Sequence, residues 1–234
     1  MRLDKYISDA MQISRTEAKK QIARGNILVD GMICYRPEYQ LKKDQIVSNL
    51  QNEKICRDDF IYIMVNKPSG VVSASNDKRD KTVIDLVARN FARRNLFPAG
   101  RLDKTSTGFI LLTDDGVFAH NILSPKKHIE KEYIVTLDTP FTPQMEQGFL
   151  QGVTLSDGTV LNSAQAIATD NPFVVKIILT QGVYHQIKRM FGVYQAGVNE
   201  LHRIRMGKLF LDEQLKPGEW RILEKHEIQQ IIQR

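Results

Sequence analysis

The sequence predicts an α+β protein in two parts: a small helix–helix–hairpin module, then a larger domain built on a largely antiparallel mixed sheet. Three observations predict it. Residues 2–24 carry two short helical patterns, followed by alternating apolar segments around Asp30-Gly31. Residues 49–59 are polar and charged, and the texture changes at Phe60. Beyond that point strand-like segments outnumber helical ones and do not alternate strictly with them, the pattern of an α+β domain. The expected divisions are 1–48 for the small module, 49–59 for a linker and 60–234 for the large domain.

Leu3, Ile7, Ala10 and Met11 share one face of a first helix. Ser14 and Glu17 have the spacing of a capping box, so a second helix starts near Arg15, with Gly25 as its stop. Ile27, Val29, Ile33 and Tyr35 flank Asp30-Gly31, a pair that tolerates the positive φ angles of a tight hairpin. A further strand is expected around Gln45 to Val47. In the larger part, strands are expected at residues 60–65, 109–112, 133–137, 164–168 and 174–179. Thr82 and Asp85 mark the start of a helix. Ile187, Met190, Phe191 and Tyr194 mark a second one after Gly182, and Ile228, Ile231 and Ile232 a closing one. Asp114-Asp115-Gly116 reads as a turn.

The net charge of +6 favours a polyanionic partner. The second helix concentrates Arg15, Lys19, Lys20 and Arg24 on a module too small to hold a deep active site. A solvated helix face is the bland reading of such a run. Contact with a phosphate backbone is the functional one. Cys34 and Cys56 are the only cysteines, too few for a disulfide framework or a zinc site, and they suit a reducing compartment. No apolar run approaches the ~20 residues of a membrane span. The opening Met1-Arg2-Leu3-Asp4-Lys5 has no signal-peptide core, so a cytoplasmic protein is expected.

The run that carries chemistry is Gly100-Arg101-Leu102-Asp103-Lys104-Thr105-Ser106-Thr107-Gly108, leading into Phe109-Ile110-Leu111-Leu112. It is a glycine-bounded polar loop feeding an apolar strand. On its residues alone it reads two ways. It is a surface turn whose aspartate caps local amides, or it holds a carboxylate among cations and hydroxyls, able to act as nucleophile or base.

The run also matches Gly-Arg-Leu-Asp-x-x-Thr/Ser-x-Gly, and with it the chain resembles the pseudouridine synthases, most closely the ribosomal small-subunit pseudouridine synthase A family. Asn66-Lys67-Pro68-Ser69-Gly70, Lys131-Glu132-Tyr133, residues 185–191 (His-Gln-Ile-Lys-Arg-Met-Phe), Leu201-His202-Arg203 and Leu215-Lys216-Pro217-Gly218-Glu219 resemble further family segments, in the same order. Residues 1–48 resemble the S4-type RNA-binding module that precedes the catalytic domain in that family.

The resemblance implies isomerisation of a uridine to pseudouridine in 16S ribosomal RNA, without cofactor or metal, by a monomeric enzyme acting on a partly assembled small subunit and on no membrane. It implies Asp103 as nucleophile, with attack on ribose and attack on base both open. It implies Tyr133 as the stacking partner of the uracil, assisting a proton transfer, and Lys188 as the cation beside Asp103, with Arg189 as the other possibility at that position. Arg101, Lys67 and Arg189 are expected to contact RNA together with Arg15, Lys19, Lys20 and Arg24. Lys67 and His185 also read as structural groups. A sister synthase acting on large-subunit rRNA would share the same loop. An rRNA-binding assembly factor without catalysis would share the first module, but the intact Asp103 motif argues against it. An unrelated hydrolase would want a second carboxylate.

Overall fold

The computed structural model describes residues 1–11, 13–42, 44–56, 60–92, 94–124, 127–155 and 157–233. The chain divides into two compact units, Met1–Phe60 and Ile61–Arg234.

In the first unit, α1 (Leu3–Met11) and α2 (Arg15–Ala23) precede β1 (Ile27–Val29), β2 (Met32–Ile33) and β3 (Val47–Asn49). The Ser14 side chain accepts from the amide of Glu17, as the capping spacing requires. Asp30 (φ 51) and Gly31 (φ 79) make the hairpin turn, so β1 pairs with β2 on one side and β3 on the other. Leu3, Ile7, Ala18, Ile22, Ile27, Val29 and Val47 form the core. Asp4, fully buried, receives both Arg2 and Arg15. Burial pushes its carboxyl up, but hydrogen bonds from the two guanidinium groups outweigh this and hold it below the ordinary value.

The expected linker does not begin at residue 49. Asn49 starts a tight turn in which its amide donates to Glu53 O (3.0 Å), and the chain returns so that Ile55 N donates to Val47 O (2.9 Å). Ile55 packs on the first core, and its carbonyl accepts from the Tyr6 hydroxyl at 2.9 Å. The segment can be polar in composition because hydrogen bonds to the Asn49 backbone and side chain order its turn, with Ile55 as its apolar anchor. Positions 57–59 of the expected linker lie outside the described residues.

The second unit runs β4 (Tyr62–Lys67), α3 (Ala88–Phe91), β5 (Phe97–Pro98), β6 (Thr107–Thr113), α4 (Gly116–Leu123), β7 (Lys131–Leu137) and α5 (Pro143–Gln151). It continues through β8 (Val153–Thr154), β9 (Val160–Leu161), β10 (Gln165–Ala168), β11 (Val174–Leu179), α6 (Gln186–Gly192), β12 (Val198–Met206), β13 (Leu209–Phe210), β14 (Trp220–Ile222) and α7 (Lys225–Ile232). Among the described residues the main sheet has nine strands, ordered β10-β11-β7-β12-β6-β4-β14, with β13 added to β12 and β5 to β6. Every pairing in it is antiparallel except β12 with β6. One face carries Ile63, Val65, Ile110, Leu112 and Val135 against Met190 and Phe191 of α6. The other carries Met64, Phe109 and Leu111 against Ala119 and Ile122 of α4 and Ile231 of α7. No helix among the described residues is long and apolar enough to cross a membrane.

Three expectations change here. Thr82 and Asp85 do exchange capping hydrogen bonds (2.7–3.2 Å), but the chain continues as turns and only Ala88–Phe91 is α-helical. Asp115 is more than a turn residue, because its Oδ1 accepts from Val117 N and Phe118 N and caps α4, a helix the pattern did not announce. Strand β12 was also unannounced. Arg203 and Arg205, buried at 2% and 9% exposure, occupy positions where apolar residues would have signalled a strand.

Candidate active site

One row of residues crosses the sheet at the end of its first apolar face. Strand register places Lys67 of β4 opposite Gly108 of β6, Gly108 opposite Arg203 of β12, and Arg203 opposite Tyr133 of β7. Opposed residues share a face, so the apolar face ends in two cations and a phenol. Gly108 leaves the gap between them. Its φ is +96, and a Cβ there would collide with the carbonyl oxygen of Arg203. Only glycine lets the parallel pair β6–β12 close at this point. A 2.8 Å contact between Thr107 Oγ1 and His202 Nδ1 joins the same two strands.

The Asp103 loop enters β6 just ahead of this row, and its backbone is tied at Leu102, Lys104 and Ser106. Ser73 Oγ donates to Leu102 O (2.8 Å) and accepts from Leu102 N (3.0 Å). Gly70 N donates to Lys104 O at 2.8 Å. Lys67 Nζ donates to Lys104 O (3.2 Å), Ser106 O (2.6 Å) and Pro68 O (3.2 Å). Asn66, one residue earlier, is clamped by the 215–219 turn, with its side chain donating to Leu215 O at 2.8 Å. Most of these ties come from residues 66–73, so the two glycine-containing motifs form one rigid assembly.

Lys67 is fully buried. The expectation that it contacts RNA is therefore corrected: its ammonium is enclosed and holds the loop. Burial, followed by competing effects of Asp103 (upward) and Arg203 (downward), pushes it down to about 8. Burial and the neighbouring Arg203 likewise bring Lys131 down to about 8.

The Asp103 side chain faces α6. Its Oδ2 lies 3.6 Å from Lys188 Nζ, and its Oδ1 lies 3.4 Å from His185 Nε2. Lys188 also reaches Thr105 Oγ1 at 3.4 Å. Of the two cations at this position, Lys188 is the one beside Asp103, while Arg189 pairs with Asp157 across from its own helix. Amide and hydroxyl donation from Thr159, with Arg189 adding to it, holds the Asp157 carboxyl at about 2. His185, read from the sequence as a structural group, has its ring against the same carboxylate.

Residues 61–192 match the family model of RNA pseudouridylate synthase, and residues 1–47 that of the S4 domain. The chain belongs to the RNA pseudouridylate synthase family. It is 39% identical over 233 residues to an uncharacterized RNA pseudouridine synthase of Aquifex aeolicus, covering 99% of this chain and 96% of that one. It is 37% identical over 232 residues to ribosomal small subunit pseudouridine synthase A of Escherichia coli, covering 99% and 100%. A crystal structure of a pseudouridylate synthase superposes with TM-score 0.71 at 33% identity, covering 99% of each chain.

Within this pseudouridine synthase, the residues picked from sequence separate into groups. Asp103 and Lys188 meet directly. Tyr133 is 7% exposed, with the Arg203 guanidinium 6.0 Å from its ring centroid and no hydrogen bond from its hydroxyl among the described residues. Arg101 is exposed and has no ion-pair partner among the described residues. In the S4 unit, Lys19, Lys20 and Arg24 are exposed, whereas Arg15 spends its guanidinium on Asp4 at 2.9–3.0 Å. Sequence reading missed Arg203, which lies under Tyr133, donates to Phe109 O (2.6 Å) and keeps a buried Nη2 without a partner among the described residues. It also missed Ser73. The Leu201-His202-Arg203 segment was a usable signal for the first, and nothing marked the second.

Proposed function

We propose that this chain converts a uridine of small-subunit (16S) ribosomal RNA to pseudouridine, acting in the cytoplasm as a monomer and without a cofactor, with Asp103 as the nucleophile. The observation that carries this is the carboxylate of Asp103 itself, on a backbone tied from residues 66–73 and facing Lys188. The end-to-end likeness to ribosomal small subunit pseudouridine synthase A supports the choice of RNA.

The chemistry needs no co-reactant. The bond from ribose C1′ to uracil N1 breaks, the uracil turns, and C1′ bonds to C5. The proton lost from C5 is balanced by one gained at N1. Asp103 would attack the ribose or the base to start the exchange. Lys188 would steady the carboxylate as a point charge. Tyr133 would stack on the uracil, and its unpartnered hydroxyl would assist the proton transfer. The target must leave its stack to reach such a site, and exposed Arg101 would contact the displaced strand. On the S4 unit, Lys19, Lys20 and Arg24 would grip phosphates.

The test is to incubate the protein with small-subunit rRNA and with partly assembled small subunits, then map pseudouridine chemically. A new site in small-subunit rRNA is expected. No site, or sites confined to large-subunit rRNA, refutes the reading. Asp103→Asn should abolish turnover while RNA binding persists, and a variant that still turns over removes Asp103 as nucleophile.

A further inference from the structure

Tyr184 and His185 form a feature that the reaction as described does not use. His185 is the N-cap of α6, yet its side chain makes no capping hydrogen bond. It adopts left-handed backbone angles (φ 50, ψ 32), a strained choice for a residue with a side chain. Strain of this kind persists where the surroundings enforce it, and here they do. Val183 N donates to Gln186 Oε1 (3.0 Å), Gln186 N donates to Val183 O (3.1 Å), and Gln186 is only 6% exposed.

The latched turn directs the imidazole edge at Asp103, with Nε2 3.4 Å from Oδ1. On the imidazole face lies Tyr184, its ring centroid 3.8 Å away and its plane tilted by 18°. Tyr184 is 73% exposed, and no other ring stacks on it among the described residues. Burial does not account for this tyrosine. Its outer face is an open aromatic surface one ring beyond the residue that touches Asp103, and Lys188, four residues on from Tyr184, meets the same carboxylate.

We propose that Tyr184 is a stacking platform for the base of a nucleotide flanking the target uridine, continuing the ring order base, Tyr184, His185. This rests on reading Asp103 as the carboxylate that acts on RNA. A flanking base fits better than the target itself. Reacting atoms must lie about 3–3.5 Å apart, and the Tyr184 ring separates a base on its outer face from the imidazole whose edge meets Asp103. Extruding the target breaks its stacks on neighbouring bases. A neighbour that gains an aromatic partner recovers part of that loss. Stacking of this sort tolerates any base, because every base has a π face. Tyr184 therefore responds to the presence of the neighbour rather than to its identity.

The experiment uses the full chain and synthetic RNA spanning the uridine that the wild-type protein modifies. The flanking nucleotide on each side is either intact or abasic. Pseudouridine formation is measured as kcat/KM for wild type, Tyr184→Phe and Tyr184→Ala, with melting temperatures to confirm folding. On intact RNA, Tyr184→Ala should lose about 5- to 150-fold, the range of one base–aromatic stack, and Tyr184→Phe should stay within about twofold on the same basis. With the base removed on one side, the loss caused by Tyr184→Ala should vanish, the signature of a direct coupling. An unaffected Tyr184→Ala, or an equal loss on intact and abasic RNA, overturns the platform while leaving Asp103 in place. A wild-type chain that modifies no RNA overturns the reading of Asp103, and the platform with it.

Discussion

Replacing Gly108 by alanine tests the geometry on which the site is built. The glycine stands at φ +96, where an L side chain is strained, and a Cβ would strike the Arg203 carbonyl oxygen and lie 2.8 Å from its nitrogen. Backbone atoms cannot swing aside as a flexible side chain can. The strain of a positive φ costs roughly 1–2 kcal/mol, and forced overpacking a further 1–3 kcal/mol or so. The parallel contact between β6 and β12 consists of two residue pairs, His202 with Thr107 and Arg203 with Gly108, and the side-chain ties that reinforce it, Thr107 to His202 and Arg203 to Phe109 O, come from the same short stretch. A total of about 2–5 kcal/mol in a unit of this size lowers the melting temperature by roughly 4–20 °C. Differential scanning calorimetry of the full chain reads this directly. Activity should fall as well, because Lys67 and Arg203 flank the same gap. Gly116→Ala is the control: a Cβ there meets nothing within 4 Å, and the change should stay within about 1 kcal/mol of wild type. A Gly108→Ala protein that melts within about 2 °C of wild type would refute the claim that glycine is needed for the strands to close.

Two further outcomes are expected. Lys67 falls from the ordinary 10.5 to about 8 when folded, so between those pH values the unfolded chain holds a proton that the folded chain lacks. Stability from this group therefore rises with pH across about 8 to 10.5, and its penalty of about 3 kcal/mol is fully present below about 8. Urea unfolding of wild type and Lys67→Met should show the difference moving in favour of wild type over that window, and a flat difference would contradict the buried ammonium. In the S4 unit, changing Lys19, Lys20 and Arg24 together to Gln should lower the slope of log affinity against log salt by about 2–3. Arg15 is left intact because it anchors Asp4. An unchanged slope in RNA-binding titrations would remove the α2 face from the RNA interface.

Much of this architecture is legible along the chain because its causes are local. Ser14 with Glu17 caps α2, and Asp30-Gly31 turns the first hairpin through backbone angles that few residue pairs accept. Val174–Leu179 reads as a strand from β-branched and apolar residues alone. The ordered motifs around Asp103 identify the family because each is a short contiguous run. What stayed hidden has causes that are far apart in sequence. Strand β12 keeps cations at inward positions, and their acceptors arrive from other strands: Phe109 O for Arg203, 94 residues away, and Glu132 for Arg205, 73 residues away. Lys67 looked like a phosphate ligand until three carbonyl groups, two of them from the Asp103 loop, enclosed its ammonium. The choice between Lys188 and Arg189 depended on which side of α6 faces that loop, and the approach of Asp157 to Arg189 decided the other partner. Residue pattern alone thus specified the locally determined elements and the motif that holds Asp103. Which cation meets that carboxylate, and which lysine is sealed beneath it, was decided by packing, since a buried charge is tolerated only where distant backbone oxygens converge on it.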